Sequence, residues 1–138
     1  MSEPDDQFEI TASPKNAGVA RERIRKTAQS LGFSRMALDD MEVAVGEAVT
    51  NAILYGSPDG GSPIVIRTSY SAPDKVFQIE VHDQGQGFDP SYMRTDENDT
   101  DALGGRGLRL MRALMDDVWL HYSGAGLIVR MTKSLHSA

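Results

Sequence analysis

Residues Met41–Tyr55 read MEVAVGEAVTNAILY, and their apolar side chains recur at helical spacing. This pattern predicts an amphipathic helix that packs one face against a core. Glu47 and Asn51 are polar residues of this stretch that lie four positions apart, on the same face and one turn from each other. Because an unpartnered buried polar group is costly, the pair indicates either a metal or substrate site or two boundary residues bonded to a neighbouring loop.

The composition is that of an ordinary globular protein. With 138 residues, 40% hydrophobic and 25% charged, the chain is expected to form a single domain over residues 1–138. The net charge of −6 argues against nucleic-acid binding, and the absence of cysteine excludes disulfides and thiolate metal sites. The sequence shows neither a signal peptide nor an apolar run of about 18 residues. We therefore expect a cytoplasmic protein with no membrane segment.

Helix signals surround the opening stretch. Ser13 and Pro14 predict the start of a first helix, with Ser13 as N-cap, and Gly32 predicts its end. Val19 is expected to face inward. Ser34 is the predicted N-cap of the second helix and Gly56 its end. Alternating or β-branched segments predict five strands: Phe8–Ala12, Ile64–Tyr70, Val76–His82, Val118–Tyr122 and Leu127–Thr132.

Two glycine-rich segments are candidate ligand sites. His82–Pro90 reads HDQGQGFDP, which would leave the Asp83 carboxylate at the end of a strand beside backbone that can approach a ligand closely. Gly104–Gly107 opens a short predicted helix, Leu108–Met115, whose free N–H groups and dipole suit phosphate. When each segment is taken alone, an ordinary acidic or flexible loop also explains it. The second segment is not a P-loop, since it lacks the lysine-containing motif.

The order of elements predicts an α+β fold. A two-layer sandwich accommodates it, with a mixed, mainly antiparallel sheet and helices on one face. Trp119 is assigned to the core. The acidic, aperiodic stretch 91–103 is predicted to be a mobile loop.

Three motifs occur in a particular order: E-x-x-x-N on a helix, D-x-G-x-G after a strand, and G-x-G-L at a helix start. The combination resembles the nucleotide-binding domain of gyrase, Hsp90, histidine kinases and MutL, the GHKL ATPases, over nearly the whole chain. EAVTNAI, HDQGQGFDP and GGRGLRLMRALMDDV look most similar to bacterial anti-sigma factor serine kinases of the RsbW and SpoIIAB type.

The resemblance implies an ATP-dependent protein serine/threonine kinase. Glu47 would be the general base, Asn51 would bind Mg²⁺, and Asp83 would accept a hydrogen bond from the adenine amino group. Residues 91–103 would form the ATP lid. Further nucleotide-binding residues would be Gly85, Gly87, Gly105, Arg106, Gly107 and Leu108.

The family resemblance also implies protein partners. These would be a sigma factor, which the chain would sequester, and an anti-anti-sigma (STAS) protein, which it would phosphorylate. Arg21 matches the region that contacts partners in the family. Homodimers are also common in the family. The chain departs from the family at Leu127, where a threonine often helps to hold adenine, and at Tyr55, where histidine is frequent. Leu127 motivates the alternative of a non-catalytic partner-binding module. A histidine autokinase is disfavoured, since only one helix is predicted before the Glu47 helix and it carries no histidine. An ATPase motor is disfavoured because nothing follows Ala138 in this sequence.

Overall fold

The protein is described here from a computed structural model, which covers residues 5–56, 63–84, 106–122 and 126–135. Five strands and three helices lie within these ranges. In chain order they are β1 (Asp6–Ile10), α1 (Asn16–Leu31), α2 (Arg35–Tyr55), β2 (Ile64–Ser71), β3 (Val76–His82), α3 (Arg106–Leu114), β4 (Asp117–Tyr122) and β5 (Leu127–Ser134).

The strands form one sheet in the order β1-β2-β3-β5-β4. Every pairing among the described strands is antiparallel, so the α+β prediction is confirmed while the sheet is more regular than the mixed sheet expected. Short connections join β2 to β3 and β4 to β5, which permits only antiparallel neighbours. Between β1 and β2 the chain forms two helices, and this pair returns it to the end of the sheet where β1 finished.

The hydrophobic core lies between one face of the sheet and the helices. Alternate residues of the central strands point into it, as the two-residue period of a strand requires. Helix α2 occupies the middle of the helical layer, in contact with both α1 and α3. The fully buried large side chains include Ile24, Met41, Val45, Val49, Ile66, Phe77, Ile79, Val81, Met111 and Met131.

The ends of the helices follow most of the sequence signals. Gly32 ends α1 in the left-handed conformation, with φ of 100°. Ser34 caps α2, its side chain accepting a hydrogen bond of 3.2 Å from the Ala37 N–H. The predicted Ser13 cap is wrong: the Ser13 carbonyl accepts the Asn16 N–H in a turn, which moves the start of α1 to Asn16.

Two apolar residues expected in the core are exposed. Trp119 is 49% exposed because β4 is an edge strand whose alternate residues Val118, Leu120 and Tyr122 pack against the core instead. Val19 is 53% exposed, since α1 buries a face of small residues around Ile24 instead. Within the described residues, no helix has both the length and the apolar character needed to cross a membrane.

Candidate functional site

Helix α2 presents Glu47 and Asn51 side by side towards the start of α3. Both side chains are half-buried. A Cβ atom built on Gly107 would lie 3.4 Å from Asn51 Nδ2 and 3.6 Å from Glu47 Oε1. The backbone of the first turn of α3 therefore faces both polar side chains directly, and any side chain at position 107 would enter the space between them.

The start of α3 supplies the opposite wall of this space. The helix begins at Arg106, so its first backbone N–H groups have no partner within the helix and carry the positive end of the dipole. Leu108 is 5% exposed and packs into the core with Met111 and Met115, which holds this helix end in place. A carboxylate, an amide and a helix N-terminus thus surround one space, an arrangement that suits a phosphate with a cation.

Asp83 stands at the end of β3 and is only 5% exposed. Its N–H donates to the Leu127 carbonyl at 3.0 Å, and the Leu127 N–H donates back to Asp83 Oδ1 at 3.1 Å. Gly56 at the end of α2 and Gly126 before β5 lie directly against the same residue. Three elements therefore hold this buried carboxylate.

The proposed site residues are arranged along the axis of α2. Asp83 lies against Gly56, at the C-terminal end of the helix, whereas Asn51 and Glu47 are five and nine residues earlier. At 1.5 Å per residue these intervals correspond to about 7.5 and 13.5 Å along the axis. The site is thus elongated, with Asp83 at one end and Glu47 at the other.

An open cavity of about 320 Å³ adjoins the Glu47 end. It lies where α1, α2 and α3 meet, and its lining includes Arg21, Val43, Glu47, Thr50 and Leu110. Arg21 crosses over Gly46, where an added Cβ would lie 3.3 Å from its Nη1 atom. The absence of a side chain at Gly46 therefore lets the Arg21 side chain lie close to α2, where it lines the same cavity as Glu47.

Arg21 differs from the other cations of α1. Arg23 pairs with Asp6 at 2.9 Å, and Arg25 pairs with Asp39 at 2.8 Å and with Glu42 at 3.3 Å. Lys26 is 3.4 Å from Glu22. Over the ranges that the structure covers, Arg21 has no carboxylate within 4 Å. A cation in this position can accept an acidic group from a second molecule.

Several predicted residues fall outside the described ranges. These are Gly85, Gly87, Gly105 and the proposed lid, residues 91–103. Arg106 is described only as the first residue of α3. The structure brings together Glu47, Asn51 and Gly107. It places Asp83 at the C-terminal end of α2 and Arg21 over Gly46, near the middle of that helix.

Gly46, Gly56 and Gly126 were missed as site residues. A glycine inside a helical pattern, such as Gly46, signals a close approach and was the one available clue. Gly56 and Gly126 have ordinary explanations as a helix end and a turn.

Residues 10–133 match the family described as the histidine kinase-like ATPase domain. The serine-protein kinase RsbW of Oceanobacillus iheyensis is 32% identical over 135 residues, which cover 92% of this chain and 84% of the relative. This chain belongs to the RsbW group of histidine kinase-like ATPases. RsbW of Listeria monocytogenes serovar 1/2a is 31% identical over 140 residues, covering 94% and 86% of the two chains.

The solved structures agree with this RsbW-type fold. The RsbU and RsbW domains of a Mycobacterium tuberculosis protein superpose with a TM-score of 0.69 at 20% identity. The match covers 96% of this chain and 33% of that longer one. A blue-light activated histidine kinase of Erythrobacter litoralis gives a TM-score of 0.61 at 21% identity, covering 75% of this chain and 32% of the other. The predicted family and fold are therefore confirmed.

Proposed function

We propose that this RsbW-type chain is a Mg-ATP-dependent protein serine/threonine kinase. The observation that carries the proposal is the approach of Gly107 to Glu47 and Asn51, which supports a phosphate site between the N-terminus of α3, a carboxylate and an amide. The serine-protein kinase relatives support the same reaction.

The donor set at Asn51 fits Mg²⁺. This ion prefers oxygen ligands and is commonly held by one or two protein groups plus substrate phosphates. Asn51 offers an amide oxygen, and Glu47 stands one turn away. When bound, Mg²⁺ would neutralise charge on the transferring phosphoryl group.

The protein's own groups then perform positioning and proton transfer. Asn51 and the N–H groups at the start of α3 orient the terminal phosphate. Glu47 accepts the proton of the attacking serine or threonine hydroxyl. The oxygen of that hydroxyl forms a bond to the γ-phosphorus while the bond between the γ-phosphorus and the ADP oxygen breaks. Of the predicted nucleotide-binding residues, Arg106 would add charge near the phosphates, and Gly85, Gly87 and Gly105 would allow close backbone approach.

We assign the adenine to the Asp83 end of the site. A buried carboxylate accepts hydrogen bonds, so it would bind the exocyclic amino group of adenine and repel the carbonyl oxygen that guanine carries at the same position. The elongated arrangement along α2 supports this assignment, because it separates Asp83, at the C-terminal end of the helix, from Glu47 near its middle.

We propose that the acceptor is an anti-anti-sigma (STAS) protein and that the same chain sequesters a sigma factor. Arg21 supports a partner contact for two reasons. It lines the cavity beside Glu47, and no carboxylate in the described part of the chain lies within 4 Å of its guanidinium. An acidic group on the partner would pair with it. We further propose that the 138 residues form one cytoplasmic domain, which can homodimerise.

Calorimetric titration with Mg-ATP and Mg-GTP tests the nucleotide site. We expect binding of ATP with little binding of GTP, and loss of ATP binding in Asp83→Ala. Incubation of the purified chain with γ-labelled ATP and a STAS protein then tests the kinase. ATP binding without any transfer to a serine or threonine would contradict the reaction.

A second candidate function is a non-catalytic module that binds its partners and uses nucleotide only as a switch. Leu127 favours it, because its side chain is 2% exposed in the core and offers no hydroxyl beside Asp83. This alternative predicts that ATP changes partner affinity while no phosphate is transferred. An unchanged partner affinity on adding ATP would count against it.

A further inference from the structure

Two glycines enclose the Asp83 carboxyl group from opposite sides. A Cβ atom built on Gly56 would overlap the carboxyl carbon and Oδ2, and it would lie 2.6 Å from the Asp83 Cβ. A Cβ atom built on Gly126 would overlap the Asp83 carbonyl oxygen and lie 2.9 Å from Oδ1. Both distances are shorter than real Cβ contacts, so the carboxyl group occupies the space that side chains would otherwise fill.

The backbone of Gly56 does not itself require glycine. Its φ of −92° and ψ of −8° are accessible to any residue, and its N–H closes α2 on the Ala52 carbonyl at 3.0 Å. Gly126 is different, because its φ of 155° disfavours a side chain irrespective of neighbours. The only demand for glycine at position 56 that the described residues reveal is therefore the contact with Asp83.

The carboxyl group has little room to yield to a side chain at position 56. Oδ1 accepts the Leu127 N–H at 3.1 Å, and Gly126 blocks the far side. The Asp83 backbone is paired with Leu127 through the bond between its own N–H and the Leu127 carbonyl. A methyl group at position 56 would consequently displace the carboxylate from its present direction or push the end of α2 away from β3.

We propose that Gly56 is a positioning residue for base recognition. It lets the end of α2 close on Asp83, so that the carboxylate is held in one orientation and selects adenine over guanine. The inference rests on the proposed function, in which Asp83 receives the adenine amino group. Gly56 acts through Asp83 and does not itself contact the phosphates, which lie at the Asn51 and Glu47 positions of the helix.

The test compares Gly56→Ala with Asp83→Ala, their double variant and the unmodified chain. Gly18→Ala is the matched control, since its added Cβ would lie 3.5 Å from Arg21 Nη2, an ordinary contact far from Asp83. Calorimetry with Mg-ATP and Mg-GTP gives the two affinities, and thermal unfolding reports the fold. For Gly56→Ala we expect a loss of ATP affinity of about tenfold or more, the size of one hydrogen bond to a charged group, with no gain for GTP. Gly18→Ala should match the unmodified chain in its affinities for ATP and GTP.

Kinetics separate positioning from general damage. Because Glu47 and Asn51 lie earlier on α2, Gly56→Ala should raise the KM for ATP while kcat at saturating ATP stays close to normal. In the Asp83→Ala background, adding Gly56→Ala should cause no further loss of ATP preference over GTP, as two changes acting through one group are not additive.

The outcomes distinguish the inference from the proposed function. Normal ATP affinity in Gly56→Ala, together with loss in Asp83→Ala, would overturn the positioning role and leave the adenine assignment standing. Unaltered ATP binding in Asp83→Ala would overturn both. If Gly56→Ala alone does not fold, the rescue variant is Gly56→Ala with Asp83→Gly, because alanine at position 83 would keep the Cβ that lies 2.6 Å from the added methyl group. Restored folding in that variant supports a collision with the Asp83 side chain, and failure to fold contradicts it.

Discussion

Asp83 and Leu127 hold each other through two hydrogen bonds, one between their backbones at 3.0 Å and one from the Leu127 N–H to the Asp83 carboxylate at 3.1 Å. The family resemblance implies that threonine is frequent where this chain has Leu127. The backbone N–H of position 127 orients Asp83 whatever its side chain is. The leucine therefore removes a hydroxyl from the site but preserves the orientation of the carboxylate.

Replacing Leu127 with threonine tests what the missing hydroxyl costs. We expect Leu127→Thr to lower the free energy of unfolding by about 2 kcal/mol or more, because it removes buried apolar volume. The Leu127→Thr variant should also bind Mg-ATP several-fold more tightly than Leu127→Val, because valine has nearly the same shape as threonine but no hydroxyl. Chemical denaturation and calorimetry measure the two effects. Equal ATP affinity in the Thr and Val variants would show that the hydroxyl is irrelevant.

Alanine variants of Glu47 and Asn51 should lose different steps of the reaction. Glu47→Ala removes the base and should abolish phosphate transfer, by at least about a hundredfold, while ATP binding is retained. Asn51→Ala removes the proposed metal ligand and should weaken Mg-ATP binding itself. Calorimetry together with single-turnover transfer to the acceptor separates the two. Equal ATP affinities in both variants would refute this division of roles.

Gly107→Ala should make the protein more stable and a poorer ATP binder. Alanine is favoured over glycine in a helix by up to about 1 kcal/mol, and its Cβ would be at ordinary distance from Asn51 and Glu47. The methyl group would nevertheless occupy the proposed phosphate space. Gly18→Ala, also in a helix, is the control that should gain stability without changing ATP affinity. Unreduced ATP binding in Gly107→Ala would place the phosphates elsewhere.

Arg21 and Arg25 form a matched pair for partner binding. Arg21→Ala should leave the melting temperature nearly unchanged, since no ion pair within the described residues is lost, and should weaken binding of the protein partner by about tenfold or more. Arg25→Ala breaks contacts with Asp39 and Glu42, so it should lower the melting temperature slightly and preserve partner binding. Surface plasmon resonance with the partner distinguishes them. Weaker partner binding in Arg25→Ala than in Arg21→Ala would indicate that the partner contacts a surface other than the cavity.

Stability at acidic pH should depend on Glu80, on the face of the sheet away from the helices. Burial would raise the pKa of this carboxyl group, but hydrogen bonds from His82 and Arg130, both at 2.8 Å, outweigh it and lower the pKa below its ordinary value of 4.5. The stabilisation is therefore complete above about pH 5. It is lost as pH falls through the lowered pKa.

Glu80→Gln should accordingly be less stable than the unmodified chain at pH 7, by about 1–3 kcal/mol, and the difference should shrink below pH 4. Denaturation at several pH values measures it. Glu9→Gln, at an exposed position on β1, is the control and should show a smaller difference. A difference that is constant down to pH 3 would contradict the role of the ionised form.

Local patterns were sufficient to identify the parts of the proposed phosphate end of the site. Glu47 and Asn51 are one turn apart on a single helix, so their proximity follows from helical geometry alone. The glycine segment that leads into α3 could be recognised because the free N–H groups of a helix start are a property of its local backbone. The strands were also predictable, with shifts of a few residues at their ends, since alternation depends on neighbouring residues.

Side-chain exposure was less predictable where it depended on sheet order. Trp119 was expected in the core, yet strand β4 lies at the edge and turns it outward. The alternation within β4 does distinguish its two faces, because Asp117 and His121 share the face of Trp119 while Val118, Leu120 and Tyr122 share the other. The size of the indole was given more weight than this pattern, and the position at the sheet edge, which is a long-range property, leaves that face uncovered.

The sequence alone thus determined the helix that carries Glu47 and Asn51, the strand that ends at Asp83 and the family to which the chain belongs. The surroundings of Asp83 were decided by tertiary structure, which brings together Gly56 from α2, Gly126 and Leu127 from the last hairpin, and the end of β3. The same holds for Arg21, whose position beside Glu47 depends on how α1 packs over Gly46. Residue spacing governs contacts within one element, whereas contacts between elements far apart in sequence arise only when the core forms and sets their distance.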